Sequence, residues 1–559
     1  MTAIAPEVLP ATQSRRDHVF PTLTPEQIAR VEKHGHTRHV DSGEILLEQG
    51  TVADRFFVVK SGCIDVVRES DDGEQRITAH RAGQFSGEVT LLAGRRSLAT
   101  IRVIELGEVI EMNRETLLGL VQTDSELSEI LMRAFILRRV ELLAKDFGDV
   151  VVIGSNHCAG TLGVREFLSR NGHPYAYVDL DQEADVQEML DKFQIGEDDI
   201  PVLICRGKKV LRHPTNEEIA DCLGFNVSID TTRVRDVVIV GAGPAGLAAA
   251  VYAASEGLDV LMIEKDSPGG QAGSSSRIEN YLGFPTGIPG FELAARAGAQ
   301  AEKFGAELMV AKTGTELGCD RKPYKIKIED ESRLSGRAVI IATGASYRKL
   351  PLPDIGQYEG AGVYYTASHM ERQLCKGEEV VVVGGGNSAG QAAVFLAETA
   401  SKVYMLVRSK GLADTMSRYL IRRIENNSKI ELRTLCQVIA CDGPMHVERV
   451  AWRDSTTGKD EEHNIRHIFV MTGAVPSTDW LKGCVAMDEK GFIKTGTDLT
   501  PEDLAAAKWP LPRPPYVVET SLPGVFAVGD VRANNVKRVA SAVGEGSIAV
   551  SFVHRVLNE

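Results

Sequence analysis

The sequence predicts a multidomain chain of class α/β plus β. Three observations carry this. At 559 residues the chain exceeds what one hydrophobic core organises, with domains running at roughly 100–200 residues each. Residues 20–110 alternate short β-rich runs with glycine turns. From residue 149 onward, apolar strands alternate with amphipathic or Ala-rich helical segments, the pattern of sheets covered by helices.

Composition narrows the class. Hydrophobic residues make up 43% and charged residues 25%, an ordinary globular balance, and the net charge of −14 excludes a general nucleic-acid or anionic-membrane binder. Met1 to Phe20 has no apolar leader core, and no stretch approaches the ~18 apolar residues that span a bilayer, so a cytoplasmic protein is expected. The nine cysteines contain no Cys-x-x-Cys pair, and no metal site is expected.

The first domain is read at 18–145. Phe56 to Val59, Ile64 to Val67 and Ile101 to Ile104 are strand-like runs, separated by turns at Lys60-Ser-Gly-Cys63 and Asp72-Gly73; they predict an antiparallel β-barrel or jelly roll. A helical stretch follows, Arg114 to Lys145. The second domain, 149–226, reads strand (Val150 to Ile153), helix (Leu162 to Arg170), strand (Tyr175 to Leu180) and, later, strand (Ile200 to Ile204), a small α/β unit.

The third region, 234–559, carries the chemistry. Strand Val237 to Val240 runs into Gly241-Ala-Gly-Pro-Ala-Gly246, where Gly241 makes the tight turn, Gly243 lets a pyrophosphate approach, and Pro244, Ala245 and Gly246 open a helix whose N-terminus faces the anion. The next strand, Val260 to Ile263, ends in Glu264 followed by Lys265, which places an acceptor for a ribose diol at the expected spacing. The arrangement repeats: Val380 to Val383 precede Gly384, Gly386, Asn387, Ser388 and Ala389. There the following strand ends in Arg408-Ser-Lys410 instead of an acid, and Arg408 and Lys410 favour a 2′-phosphate, hence NADPH over NADH. The second dinucleotide domain, 349–484, is read as an insertion between the two parts of the first, 234–348 and 485–559.

Further pieces carry a family resemblance. Gly269-Gly270-Gln271, Ile278-Glu-Asn280, Ala342-Thr343-Gly344-Ala345, Gly524 to Gly529-Asp530 and Lys537-Arg538-Val539-Ala540 through Glu545 stand in the order and spacing of low-molecular-weight thioredoxin reductases, which residues 234–559 closely resemble. The resemblance implies Rossmann-like domains for FAD and NADPH, Asp530 near the ribitol, Arg538 and Val539 near the isoalloxazine, hydride passing from nicotinamide to flavin, and a homodimer. That family carries a redox Cys-x-x-Cys before the second loop. This chain has Tyr365-Thr-Ala-Ser-His369-Met370, so Thr366 and His369 replace both sulfurs and close the dithiol route. His369 is either a proton donor near the flavin or a packed histidine.

Residues 149–224 resemble a thioredoxin or glutaredoxin fold, with Asp199-Ile-Pro-Val202 where such folds place a cis-proline. Its motif is reduced to Cys158-Ala-Gly-Thr161, a single cysteine at a helix start, where the dipole favours a thiolate. The arrangement is similar to a monothiol glutaredoxin; the alternative is a domain used for docking.

Residues 20–140, with Phe85-Ser-Gly-Glu88 to Thr100, resemble a cyclic-nucleotide-binding domain. The resemblance gives Glu88 to the ribose hydroxyl and an arginine to the cyclic phosphate. That arginine's slot holds Ser97, with Arg96 one position early, so the domain either binds a cyclic nucleotide or docks a partner. The functional expectation is an NAD(P)H-dependent flavoprotein oxidoreductase that passes electrons to a thiol or disulfide partner, an electron carrier or a small acceptor. The alternative is a regulatory flavoprotein that senses redox state or a nucleotide.

Overall fold

The computed structural model describes residues 17–70, 73–87, 90–144, 150–155, 158–180, 199–205, 209–226, 229–275, 277–367, 369–444, 446–481 and 483–559. In the N-terminal unit, helix Pro25–Glu32 starts from a reciprocal cap. The Thr24 hydroxyl accepts from Gln27 N–H, and the Gln27 side chain accepts from Thr24 N–H at 2.8 Å.

Five strands then form one antiparallel sheet in the order His36–Val40, Thr100–Asn113, Arg55–Ser70, Gly73–Arg81, with Ile45–Leu47 also pairing with Thr100–Asn113. The expected barrel does not close, because the described part of the sheet keeps His36–Val40 and Gly73–Arg81 as separate edges. The expected turn at Lys60 to Cys63 is instead a run of three register shifts inside one continuous strand. Gly62 takes φ +81°, and a β-carbon there would lie 2.5 Å from the Glu105 carbonyl oxygen. The bent strand serves two cores: Phe56 and Val58 face the helical side with Phe85 and Phe135, while Phe57, Val59 and Ile64 pack with Ile101, Val103 and Val109.

The helical stretch from Arg114 is two helices, Arg114–Thr123 and Ser125–Ala144. Asp124 breaks it with an extended backbone, and its carboxylate accepts from Leu127 N–H at 3.0 Å and from Arg30 at 2.7 Å.

The middle unit is a four-stranded sheet in the order Ala176–Asp179, Val150–Gly154, Val202–Cys205, Lys209–Arg212; its first pair is parallel and the other two are antiparallel. Helices Ala159–Arg170 and Asn216–Leu223 cover one face. The Ile200–Pro201 bond is cis, as the resemblance implies. Val152, Phe167, Leu203, Ile219 and Phe225 belong to the same hydrophobic core as Val237, Leu247, Ala250 and Val550 of the next unit. A polar seam reinforces the join. Asn226 and Val310 exchange two hydrogen bonds at 2.9 and 3.0 Å, and buried Lys312 pairs with Glu217 at 2.5 Å and Asp330 at 2.9 Å.

The third unit has a seven-stranded sheet in the order Glu307–Val310, Val260–Glu264, Val234–Val240, Arg333–Ile341, Tyr324–Ile328, Gly314–Gly318, with Val525–Ala527 added parallel to Arg333–Ile341. Helices Pro244–Ser255 and Val539–Leu557 cross closely enough that a β-carbon on Gly546 would stand 2.1 Å from the Ala245 carbonyl oxygen. The inserted unit has a parallel five-stranded sheet, Val363–Tyr364, His467–Val470, Glu379–Val383, Lys402–Val407, Ile430–Thr434, and a three-stranded antiparallel sheet from Cys436 to His463. The antiparallel pair Ala345–Tyr347 and Ala474–Pro476 forms the double crossing between the two.

Two disulfides, Cys205–Cys222 and Cys319–Cys484, were not anticipated. Among the described residues, no helix is long and apolar enough to cross a membrane, and no cluster of three His, Cys, Asp or Glu side chains could hold a metal ion.

Candidate functional site

The first glycine loop is built by contact. Gly241 has φ +105°, and a β-carbon on it would stand 2.3 Å from the Ala342 carbonyl oxygen; one on Gly246 would stand 1.9 Å from the Gly241 carbonyl oxygen. Strand, turn and helix therefore close on each other only with glycine at both positions. Gly243 is different: it caps helix Pro244–Ser255 without a side-chain hydrogen bond and faces open space. Pro244 takes the first helical turn, and Ala245 is buried against Gly529. The helix thus presents unsatisfied N–H groups at an open face, which suits a pyrophosphate.

Glu264 ends its strand inside this site. Its carboxylate accepts from Ala242 N–H at 2.7 Å and Asp266 N–H at 3.0 Å. Burial pushes its pKa above the usual carboxylate range, against those two N–H groups. Lys265 is 58% exposed and turns outward toward Asp266. Gly270 packs against Gly243, and Gln271 donates to the Ala345 carbonyl. Thr343 donates to the Ser477 carbonyl at 2.8 Å, and the Gly344 carbonyl accepts from Ser477 N–H at 3.1 Å, so Thr343, Gly344 and Ala345 form the crossing between the two dinucleotide units. Asn280 lies exposed outside this cluster.

Asp530 approaches from the C-terminal segment. Burial raises its pKa, Lys537 pulls it back and Glu545 adds to the rise; no hydrogen bond from another described residue reaches its carboxylate. Sequence reasoning missed the role of Glu545, which accepts from Gly529 N–H at 2.8 Å, Arg532 at 2.6 Å and Asn535 at 2.7 Å and so fixes the turn that carries Asp530. Its place in the Lys537 to Glu545 motif was the available signal. Tyr347, whose pKa is raised by burial and by Asp530, is a second residue that was missed. Arg538 caps helix Val539–Leu557 without a side-chain hydrogen bond; Arg538 and Ala540 are exposed and Val539 is half-buried.

The second loop repeats the first. Gly384 has φ +143°, and a β-carbon on it would stand 2.3 Å from the Met471 carbonyl oxygen. Gly386 caps helix Asn387–Ala397 with no side-chain bond and open space around it. Asn387 accepts from Ser417 N–H at 2.7 Å, Ala389 is fully buried, and Ser388, Arg408 and Lys410 are exposed.

Thr366 donates to the Ser274 carbonyl at 3.1 Å, joining the inserted unit to the first dinucleotide unit. His369 heads helix His369–Leu374. Cys158 is half-buried and caps helix Ala159–Arg170, whose Gly160 lies beside Pro201; Ala159 packs on Gly360 of the inserted unit. Glu88 lies outside the described residues. Arg96 donates to the Gly50 carbonyl at 3.0 Å and lies over Gly224 of the middle unit, while the Ser97 hydroxyl donates to the Ala99 carbonyl at 2.7 Å.

Two anion-ready helix N-termini after parallel strands, one followed by a buried acid and one by exposed cations, are the pattern of two dinucleotide-binding units. Residues 235–546 match the pyridine nucleotide-disulphide oxidoreductase family, and residues 37–124 match the cyclic nucleotide-binding domain family. The chain belongs to the pyridine nucleotide-disulphide oxidoreductases and is similar to their thioredoxin reductases. The thioredoxin reductase of Bacillus subtilis (strain 168) is 34% identical over 330 residues, 58% of this chain and 96% of that relative. That of Eremothecium gossypii is 32% identical over 339 residues, 58% of this chain and 98% of that relative. Among solved structures, Lactococcus lactis thioredoxin reductase (FR conformation) aligns with TM-score 0.52 and 30% identity over 58% of this chain and 99% of that one. T. acidophilum thioredoxin reductase gives TM-score 0.52 and 31% identity over 58% and 100%.

The family implies FAD and NADPH, and the residues present fit both. The open helix N-terminus at Gly243, the buried Glu264 and the unpartnered carboxylate of Asp530 suit FAD; Gly386 with Arg408 and Lys410 suits NADPH.

Proposed function

We propose that the chain is an NADPH-dependent flavoprotein oxidoreductase whose electrons leave to a partner disulfide, an electron carrier or a small acceptor without a dithiol of its own beside the flavin. One observation carries the departure from its relatives: a threonine, hydrogen-bonded to the Ser274 carbonyl, stands at position 366 where the resemblance places the first redox sulfur. FAD and NADPH, when bound, supply the hydride chemistry. The protein's part is positional. The N-termini of helices Pro244–Ser255 and Asn387–Ala397 hold the pyrophosphates, Glu264 and Asp530 accept from sugar and ribityl hydroxyls, and Arg408 and Lys410 hold the 2′-phosphate. On this reading His369, where the resemblance places the second redox sulfur, is a proton donor. Cys158, at the head of a helix against the inserted unit, is the thiol to which a disulfide partner attaches.

A second reading, a regulatory flavoprotein, is favoured by the engagement of Arg96 with the middle unit. In that reading the N-terminal domain docks instead of binding cyclic AMP, and calorimetry gives no heat at millimolar ligand. We assign a homodimer in which the side chains of Leu282, 92% exposed, and Phe291, 60% exposed, are covered; sedimentation of Leu282→Asp tests it.

Anaerobic NADPH bleaches the flavin under both functional readings. Steady NADPH consumption with an added thiol, quinone, ferredoxin or dye acceptor separates them. If no acceptor in that set supports turnover, the enzyme reading fails.

A further inference from the structure

The middle unit grips one wall of the first dinucleotide site at three points. Arg170, the last residue of helix Ala159–Arg170, donates from Nη2 to the Gly270 carbonyl at 2.9 Å. Gly270 is itself part of the pyrophosphate turn, since a β-carbon there would lie 3.1 Å from Gly243 Cα. Asn171 donates to the Asp266 carbonyl at 3.4 Å, and Asn216 donates to the Asp266 carboxylate at 3.2 Å. Asp266 and Gly270 are thus both held by another domain.

Charge points the same way. An ionised Glu264 accepts hydrogen bonds from ribose hydroxyls more strongly than a protonated one, and its burial opposes ionisation. The charged groups that bear on it are Asp266, which raises its pKa further, and Arg170, which lowers it. The two nearby lysines are turned elsewhere: Lys265 lies outside toward Asp266, and Lys312 is paired with Glu217 and Asp330. The Nη1 of Arg170 lies 3.3 Å from Glu166, while its Nε is buried with no partner. A guanidinium fixed on this turn is therefore a preorganised positive charge at a site for a dianionic pyrophosphate and a carboxylate-bound ribose.

We propose that Arg170 is a positioning residue of the FAD site supplied by the middle unit: it fixes Gly270 against the pyrophosphate turn and brings a positive charge to that wall, so that FAD affinity depends on middle-unit docking. The proposal rests on the FAD reading of this site and extends it to a domain that the matched relatives' aligned region does not contain.

The test is titration of the full-length apoprotein with FAD, read by quenching of flavin fluorescence. Arg170→Gln should bind FAD about tenfold more weakly than the wild type, a loss of one decade in Kd, and Arg170→Lys should recover most of it. The Arg170→Gln deficit should widen as pH falls from about 8 toward the carboxylate range, because burial raises the Glu264 pKa and Arg170 opposes that rise. Asn171→Ala, which loosens the same wall without removing charge, should weaken binding without that pH dependence. Circular dichroism confirms that each variant is folded. A wild type that takes up no FAD overturns the site reading and the proposal together. A wild type that binds FAD while Arg170→Gln binds within twofold of it across that pH range overturns the proposal alone. So does equal weakening by Gln and Lys with no pH dependence, since that result marks packing and not charge.

Discussion

Arg96 of the N-terminal unit lies over Gly224 of the middle unit so closely that a β-carbon at 224 would stand 2.2 Å from its Nε. Gly224 ends helix Asn216–Leu223 in the left-handed region, φ +68°. Next to it, the Arg95 guanidinium sits 4.9 Å from the centre of the Phe225 ring. Gly224→Ala should cost about 1–2 kcal/mol from the left-handed backbone alone. Contact with Arg96 adds to this. Arg96→Ala in the same chain should remove the contact part and leave the backbone part, so the double variant is more stable than the sum of the singles predicts. Urea unfolding of the four proteins measures this coupling.

His80 makes the N-terminal unit acid-sensitive. It is 2% exposed, its Nδ1 has no partner, and its ring lies 5.9 Å from Phe20. Burial, helped by the charge of Arg138, pushes its pKa down to about 3. Between that value and the ordinary value near 6.5 the unfolded chain binds a proton that the folded unit refuses. Stability from this group is therefore complete above the ordinary value and is lost as pH falls toward the folded one. The melting temperature of the wild type should drop between about pH 7 and about pH 5, and His80→Phe should flatten that drop. Parallel curves for the two proteins would refute the assignment.

The dinucleotide loops were legible because their chemistry is local. A strand, three glycines, a helix and an acid at the end of the next strand lie within one short stretch, and Gly241, Gly246 and Glu264 are held by that stretch and the adjoining strand end at Ala342. What escaped the sequence is long-range or ambiguous. A glycine in a β run signals a turn or a bulge equally well, and Gly62 proved to be the bulge. Asp124 reads as a tolerated helical residue until its carboxylate is seen capping the next helix. The disulfides join cysteines 17 and 165 residues apart, spacings that suggest no pairing. Arg170 reads as the polar end of an amphipathic helix, and the core shared by Phe167 and Ala249 brings it to the Gly270 turn.

Arg408 and Lys410 stand exposed just beyond strand Lys402–Val407, at the edge of the second loop. A charge-assisted contact to a 2′-phosphate contributes about 1.5–3 kcal/mol, roughly 10- to 100-fold in affinity. Arg408→Ala with Lys410→Ala should therefore raise the KM for NADPH by roughly that factor and leave the KM for NADH within about twofold. Steady-state rates with each nucleotide, or the bleaching rate at varied nucleotide, read the difference. An equal rise for both would show that the two cations bind no 2′-phosphate.

On the proposed reading, Thr366 limits what the flavin can reduce. Its hydroxyl donates to the Ser274 carbonyl, and a hydroxyl cannot attack a disulfide or store the electron pair that a dithiol stores. Hydride entry needs neither sulfur, so NADPH should bleach the flavin quickly, while NADPH-dependent reduction of thioredoxin should run at least roughly 100-fold slower, a barrier about 2.7 kcal/mol higher. Cys158→Ser should leave both rates unchanged if Cys158 serves a different disulfide partner. If the wild type reduces thioredoxin quickly and Cys158→Ser does not, the electrons leave through Cys158 to thioredoxin itself. Fast reduction by both proteins would mean a route through neither position, and the remaining free cysteines, Cys63, Cys375, Cys436 and Cys441, would be the ones to replace next.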